Sequence, residues 1–387
     1  MKIISSFLIF FFLILYGSEW IYGEETVDFS VMDKMEWKEV DDILQSSEEW
    51  KEGVEHFFGG ETFGFRDMVM EILTGKKPFE FSTIFKTIIA AVFSEVVQTK
   101  NNLIIILLLI IVTGVFQNMA GAFQNHQIAD MTRLIMYLLL FVSVLTSFSL
   151  ALEMVKDTMK TLSSFLSALA PAYFLSVAAS GSASSAAAFY SLSIFLISAI
   201  ELCILYIILP LVQIFAVLAF VNKLSKEDML AYLLDTIKTV IEYILKTMIG
   251  LSVSIGVIQS MIAPVLDSFK NTMLSKAVSA IPGIGNMTGG LTEVFFGSAV
   301  VIKNGIGAVS LIVVLYLCLV PIGKLIAVIL MYKGATAVAG MVSGKEYADG
   351  LAKVSEGGEM LLKAFVTGMV LFMAIIAMVA STTNRGY

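Results

Sequence analysis

Long apolar stretches separated by short polar ones occupy most of the chain after residue 100. The longest, residues 161–221, is almost wholly apolar. A helix that spans a bilayer needs about 20 apolar residues, so a stretch of this length cannot be one spanning helix. The pattern therefore predicts an all-α fold, a polytopic helical membrane protein with about six to eight spanning helices.

The long apolar stretch is interrupted at three places. Pro171 and Pro210 each remove a backbone donor, and each proline ring clashes with the preceding turn. The small residues 180–185, with Gly181 among them, end a helix or let two helices approach closely. We therefore predict broken or re-entrant membrane helices in this stretch. The same reasoning marks three later positions, which are Pro282, Gly285 and Pro321.

Other apolar segments predict further spanning helices, and polar segments predict the links between them. The link 153–160 is charged. Residues 222–246 carry charges of alternating sign at helical spacing, which predicts an amphipathic helix that either lies at the membrane surface or bridges two spans, and 344–363 is also predicted to be amphipathic. The remaining spans are predicted at 103–122, 134–152, 247–266, 305–322 and 364–380.

The N-terminal part of the chain differs in character from the rest. Residues 1–23 have a positive start, an apolar core and small residues at its end, which predicts a secretory signal peptide, with an uncleaved anchor as the alternative. Residues 24–100 hold seventeen acidic and eight basic residues and are predicted to be exported. Helical spacing predicts helices within 34–51 and 65–74. This exported region either offers a surface to partner proteins or packs on the outside of the membrane domain, residues 101–387.

Four of the six prolines fall into two pairs of equal separation, which suggests an internal repeat. Pro171 and Pro282 are 111 residues apart, and so are Pro210 and Pro321. Broken helices at matching places in two halves point to a translocation or binding site near the middle of the membrane. The alternative is chance similarity between apolar segments, and the pattern leaves open whether the halves are parallel or inverted. The predicted repeat units are 161–266 and 272–380.

Composition narrows the functional classes. Charged residues make up 15% of the chain, against about 25% in soluble domains, which again indicates a protein embedded in a lipid bilayer. The chain lacks the basic patch that nucleic-acid binding requires, so no nucleic acid partner is predicted. Both cysteines lie in apolar runs and the two histidines lie far apart, so we predict no metal and no other cofactor. No nucleophile–base pair is recognisable, and an enzyme is the least supported class.

A few polar residues inside apolar runs are the candidate functional positions. Glu201 is flanked by long apolar runs. A carboxylate in a membrane usually faces a cavity or a partner charge, and the alternative is that Glu201 lies near an interface or is protonated. Lys324 lies near a predicted helix end, from which a lysine often reaches the membrane surface. The other candidates are Gln213, Lys303 and Asn304.

The sequence resembles the stage III sporulation protein AE family over essentially its whole length. The resemblance begins with a signal and an acidic exported segment. MTGGLT at 287–292 departs from the Asp-bearing stretch that is usual in the family, which leaves any charged role there in doubt. The motifs that carry the resemblance are TGKKPF at 74–79, LSALAPAYFLSVAASGSASSAAAF at 166–189, IPGIG at 281–285 and GSAVVIKNGIGAVSLIVVL at 297–315.

The resemblance implies a membrane component of the secretion-like complex that joins the mother cell to the engulfed forespore. The implied location is the mother-cell membrane around the forespore, and the implied role is support of late forespore transcription-factor activity. The implied partners are the other stage III A sporulation proteins and a forespore-membrane partner complex, and a homo-oligomer is also expected. The resemblance further marks residues 281–285 and Lys303, Asn304 and Gly305 as important. Two alternatives remain, a stand-alone small-solute transporter and a membrane scaffold without a pore.

Overall fold

The computed structural model describes residues 29–47, 50, 64–74, 104–116, 119, 126–222, 229–279 and 289–381. Nearly all of these residues are helical, and none of them lies in a strand. Apolar side chains from every long helix meet in one buried core. The predicted all-α class is therefore confirmed.

Short helical elements precede the long ones. A 3-10 helix, Phe29–Lys34, leads into α1 (Lys38–Ser46), and α2 (Phe65–Leu73) follows. Both α-helices lie in the segments for which the spacing predicts them. Each turns its apolar residues inward, and Glu39 and Asp42 of α1 and Asp67 of α2 are exposed, as on an amphipathic surface helix. The apolar helix α3 (Ile104–Phe116) lies within the first predicted span.

Six long helices form the body of the protein. Two π-helical turns, Ala178–Ser182 and Ile204–Ile208, join the first three of them without a loop. The helices are α4 (His126–Val177), α5 (Ala183–Cys203), α6 (Leu209–Asn222), α7 (Ala231–Ser279), α8 (Gly289–Val342) and α9 (Lys345–Ser381).

The chain reverses its direction at the π-helical turn between α4 and α5. The Ser163 hydroxyl donates a hydrogen bond of 2.5 Å to Glu201, 38 residues further on. A straight helix of that length would hold the two residues about 57 Å apart. Closer to the turn, the rings of Phe174 and Tyr190 lie 5.5 Å apart. α4 and the continuous helix formed by α5 and α6 are therefore antiparallel, and the reversal falls at the small residues 180–185.

The other helices alternate in direction as well. α8 is antiparallel to α4, because Tyr332 donates to the Val144 carbonyl at 3.1 Å and Ser176 donates to the Ala299 carbonyl at 3.2 Å. α9 returns alongside α8 after a turn at Gly344, whose φ of 93° is one that glycine tolerates best. α7 runs parallel to α9, since residues with rising numbers meet along both helices.

Three predicted interruptions are wrong. Pro171 lies inside α4 and Pro321 lies inside α8, and both helices continue through the proline. The charged link 153–160 is also part of α4. Neighbouring helices and small local adjustments can compensate for the hydrogen bond that a proline removes, which is why proline is tolerated within membrane helices.

The predicted break at Pro210 is replaced by a local change in helix type. Pro210 is the second residue of α6 and directly follows the π-helical turn Ile204–Ile208. The wider turn shifts the carbonyl groups that the proline ring would otherwise meet. The chain therefore stays helical from Ala183 to Asn222.

The predicted surface helices are not separate elements. Most of 222–246 and all of 247–266 belong to α7, and 344–363 runs into 364–380 within α9. Each helix continues across the junction of its two segments, at 246/247 in α7 and at 363/364 in α9. No glycine or proline in a strained conformation ends the helix at either junction.

The long helices exceed the thickness of a bilayer. α8 has 54 residues and is about 81 Å long, whereas the hydrocarbon core of a bilayer is about 30 Å thick. Five helical segments in the described part of the chain are long and apolar enough to cross a membrane, so parts of them extend beyond it. They are Met131–Ser180, Phe189–Asn222, Ala231–Gly256, Gly297–Val342 and Lys345–Ala380.

Some predictions lie outside the described residues, namely the signal peptide 1–23 and the positions Pro282 and Gly285. The internal repeat stays a prediction. α6, which holds Pro210, and α8, which holds Pro321, run in the same direction, and each is followed by a helix that returns. A parallel repeat requires this arrangement.

Candidate functional site

Charged side chains from α7 and α9 meet along one face of the helix bundle. The Lys238 ammonium contacts the Glu356 carboxylate, and Lys353 donates to the other oxygen of the same carboxylate at 2.8 Å. One carboxylate therefore contacts two ammonium groups, and both lysine side chains are partly exposed. Such partly exposed pairs contribute little to stability, so a structural role alone explains them poorly.

Two further groups of ion pairs continue this face. Glu242 lies 3.6 Å from both Lys246 and Lys363, and Lys333 of α8 lies 2.6 Å from Glu359. We call the whole set the charged stripe. Its members are Lys238, Glu242, Lys246, Lys333, Lys353, Glu356, Glu359 and Lys363.

A cavity of about 190 Å³ lies beside the charged stripe, between the end of α6, the start of α7 and α9. Its charged lining consists of Asp235, Lys238, Lys353 and Glu356. Asn222 closes one side, and its side-chain oxygen accepts a 2.8 Å hydrogen bond from the Leu230 backbone at the entry to α7. The cavity therefore carries charges of both signs beside apolar side chains, which are Phe215, Ala231 and Leu234.

Glu201 lies on α5 in an apolar setting, as the sequence predicts. Its carboxylate is half-buried and accepts the hydrogen bond from Ser163 of α4. The partner of the carboxylate seen here is a hydroxyl and not a cation.

Lys303 is fully buried in α8, with 0% of its surface exposed. Its ammonium donates to the Ala380 carbonyl at 3.0 Å, at the C-terminal end of α9. The last carbonyls of a helix have no partner within the helix and carry a partial negative charge, so they suit a lysine. Lys303 thus joins the two ends of the α8–α9 hairpin.

Tyr173 of α4 reaches the same region. A Cβ atom at Gly307 would lie 2.7 Å from the Tyr173 hydroxyl, so the ring fits only because residue 307 is glycine. Tyr173 is buried, and its hydroxyl has no hydrogen-bond partner among the described residues. Lys303 and Gly307 are one helical turn apart, so α4, α8 and α9 meet here around two buried polar groups.

The remaining sequence candidates are spread along the bundle. Gln213 is exposed on α6, whereas Lys324 and Asn304 are half-buried on α8. Gly181 lies within the π-helical turn Ala178–Ser182, where the chain reverses its direction. The three candidate prolines among the described residues, Pro171, Pro210 and Pro321, lie within helices and do not meet at one site. The structure therefore brings together Glu201 with Ser163 and Lys303 with Ala380, and leaves the other candidates apart.

Sequence reasoning did not identify the charged stripe as a site. Its signal is present, because α7 and α9 each carry charges of alternating sign at helical spacing. That pattern indicates an exposed helix face, but it does not show that two such faces, more than a hundred residues apart, oppose each other.

The acidic N-terminal helices pack on α4 and α8. Phe65 stacks on Trp37 with ring centroids 5.6 Å apart and meets Phe165 of α4 at 5.9 Å. Leu73 lies against Gly305, and Trp50 meets the edge of Tyr316 on α8.

Asp41 links α1 to α2. Its carboxylate accepts a 2.7 Å hydrogen bond from the Phe65 backbone amide, at the first residue of α2. Burial nevertheless raises the pKa of Asp41 above its ordinary value, and the nearby charges of Asp67 and Asp42 raise it further, while the hydrogen bond from Phe65 opposes the rise.

The helices and these contacts define a polytopic helical membrane protein with ionisable groups held between its helices. A family model described as Stage III sporulation protein AE matches residues 63–383, and the chain belongs to this family. Stage III sporulation protein AE of Bacillus subtilis (strain 168) is 23% identical to it over 318 residues, which cover 82% of this chain and 79% of the relative. No solved structure matches the chain. The chain is thus a stage III sporulation protein with helices that can span a membrane.

Proposed function

We propose that this protein is a multi-pass component of a channel or transport complex between the mother cell and the forespore. It resides in the mother-cell membrane around the forespore, and late forespore gene expression depends on it. The observation that carries the proposal is the presence of Glu201 and Lys303 inside helices that are predominantly apolar and long enough to span a membrane. Ionisable groups in such positions mark pathways or coupling sites more often than they serve packing.

The packing of the N-terminal region supports one orientation. We infer that α1 and α2 are exported. α2 meets α8 at Gly305, which is about 42 Å along the helix axis from Lys333 in the charged stripe. This distance exceeds the bilayer core of about 30 Å. The charged stripe then faces the mother-cell cytoplasm, and the end of α9 lies on the exported side with α2.

The proposed partners follow from the family setting. They are the other stage III A sporulation proteins in the same membrane and a partner complex in the forespore membrane, and several copies of this chain are expected to assemble. The outward acidic residues of α1, Glu39 and Asp42, and Glu36 just before it are available for such contacts in the exported space.

Charge-removing substitutions at Glu201 and Lys303 test the proposal. Glu201→Gln keeps the size of the side chain and its acceptor, and Lys303→Met keeps the length of the stem. Both are expected to reduce spore formation and late forespore reporter expression strongly while the protein accumulates normally. Glu153→Gln and Lys160→Met, which change exposed charges on α4, are the controls. Normal sporulation in both test strains would show that these residues are not the functional site.

The cavity beside the charged stripe favours a second candidate, a stand-alone transporter for small solutes. A cavity of about 190 Å³ between helices can hold a small molecule. Purified protein in vesicles would then take up labelled metabolites without any partner. Uptake that requires the other stage III A proteins supports the complex instead.

The position of Lys303 favours a third candidate, a scaffold without a pore, because a lysine that closes the end of a helix can be purely structural. Reactivity of cysteines substituted at successive positions of 166–177 distinguishes a water-lined channel from a scaffold without a pore. A water-lined path gives reactivity with helical periodicity, whereas a packed scaffold gives none.

A further inference from the structure

The cavity between α6, α7 and α9 is lined in a way that suits one kind of ligand. Two carboxylates and two ammonium groups surround it, so its charged lining is neutral overall. Glu356 contacts both lysines. Each ammonium has three donors and therefore retains donors beyond its contact with Glu356. A ligand that carries one negative and one positive group can engage both halves of this lining, whereas a purely anionic ligand would meet Asp235 and Glu356 as repulsive groups.

The setting of the cavity is interfacial. The last charges of α7 and α9 before their apolar runs are Lys246 and Lys363, and 247–256 and 364–380 contain no charged residue. The cavity lies on the charged side of this boundary, within two to three helical turns of it. The polar head groups of lipids occupy this zone of a bilayer.

The outer surface of α7 provides a path for lipid chains to the cavity. Tyr232 and Tyr243 are 89% and 70% exposed and lie on the helix face next to the one that carries Asp235 and Lys238. Tyrosine is enriched where hydrocarbon meets water, because its ring is apolar and its hydroxyl is polar. Leu233 and Val240 are exposed as well.

We propose that the cavity binds the head group of phosphatidylethanolamine, a phosphate diester joined to a primary ammonium. Lys238 and Lys353 bind the phosphate oxygens, Asp235 and Glu356 accept hydrogen bonds from the ligand ammonium, and the acyl chains follow the exposed tyrosine face of α7. The lining discriminates against phosphatidylcholine, whose methylated ammonium donates no hydrogen bond, and against phosphatidylglycerol, which has no ammonium. This proposal requires only that the protein lies in a bilayer. It does not depend on whether the complex transports a substrate.

Native mass spectrometry of the full-length protein, delipidated in detergent and titrated with the three lipids of matched acyl chains, tests the proposal. Phosphatidylethanolamine is expected to bind about tenfold more tightly than the other two, the size of effect that one hydrogen bond to a charged group provides. Asp235→Asn removes the negative charge that strengthens the hydrogen bond from the ligand ammonium, and it is expected to abolish this preference. Lys353→Gln is expected to weaken the binding of all three lipids alike, because each carries the phosphate.

Asp157→Asn is the matched control, since it removes the same charge from an exposed position on α4 and should keep the preference. Thermal unfolding of each variant confirms that it is folded. Equal binding of the three lipids, or an unchanged preference in Asp235→Asn, overturns the proposal. Soluble glycerophosphoethanolamine is the final arm of the test. If it competes at the same concentration as the lipid, the site recognises a free zwitterion and the assignment to a lipid is wrong.

Discussion

The Lys303 ammonium reaches a backbone carbonyl at the end of α9, where the helix leaves its last acceptors without a partner. Its neighbour Gly307 makes room for the Tyr173 ring. The sequence shows that Lys303 is a charge within an apolar run, but it cannot show this partner, because Ala380 is 77 residues away and offers only its backbone.

Asp41 gives a pH dependence to the packing of α1 on α2. Its pKa is raised on folding, so the folded state holds the proton more tightly, and stability falls as the pH rises through this raised pKa. Asp41→Asn keeps an acceptor for the Phe65 amide without the charge. The variant is therefore expected to protect α1 and α2 better than the parent at pH 7.5, with no difference at strongly acidic pH.

Limited proteolysis of the N-terminal region across this pH range measures the effect. Glu39→Gln, on the exposed face of α1, is the control and should follow the parent protein. Weaker protection of Asp41→Asn at neutral pH would contradict the prediction, because it would mean that the ionised form stabilises the contact.

Gly114 is the tightest approach of α3 to the long helices. A Cβ atom there would lie 2.6 Å from the Val342 carbonyl oxygen, and backbone cannot move aside as a side chain can. Gly114→Ala is expected to destabilise the protein by about 1–3 kcal/mol in thermal unfolding. Gly250→Ala is the control, since no described residue outside the adjoining helix backbone lies within 4 Å of a Cβ atom added there, and it should be neutral or stabilising. Equal effects of the two substitutions would show that α3 does not pack there.

At the scale of the element, hydropathy predicts where helices occur but not where they end. α1, α2 and the last span fall where the periodicity places them, because their apolar faces are set by local sequence. The continuity of α4, α7 and α8 could not be predicted, since a proline or a charged segment ends an isolated helix yet is compensated by neighbours in a bundle. The interruption at 180–185 could be predicted from the sequence, because the small residues there permit two helices to approach closely.

Pro171 offers a test of this continuity. It lies in the interior of α4 with its side chain exposed, and it cannot donate a hydrogen bond to the Ser167 carbonyl. Pro171→Ala is expected to raise the unfolding temperature, because an interior proline costs a helix about 3 kcal/mol. A lower unfolding temperature would show that α4 is broken at this residue. Higher stability with loss of sporulation would identify the proline as a functional hinge.

At the scale of the whole molecule, the alternating directions of the helices place both ends of the described chain together. α2 packs at Gly305 of α8, and the end of α9 reaches Lys303 only two residues away. The class of protein and its apolar spans could be predicted from the sequence. The opposition of the charged faces of α7 and α9 could not, because it depends on which helices are neighbours.

Labelling with a membrane-impermeant maleimide tests this arrangement in a background without Cys203 and Cys318. In intact vegetative cells that produce the protein, where the exported side faces the medium, Asp42→Cys in α1 is expected to react, and so is a cysteine added after Tyr387. Lys345→Cys, beside the turn between α8 and α9, should react only after the membrane is permeabilised. Labelling of Lys345→Cys in intact cells together with Asp42→Cys would exclude the orientation proposed above.

The turn at Gly344 has a consequence for how the protein enters the membrane during synthesis. One left-handed glycine joins helices of 54 and 37 residues, so the second helix has almost no slack relative to the first. We therefore expect α8 and α9 to insert into the membrane together as a helical hairpin, and not one after the other. Gly344→Val should therefore lower the yield of inserted chains in a cell-free translation with membranes, more than it lowers the stability of those chains that do insert.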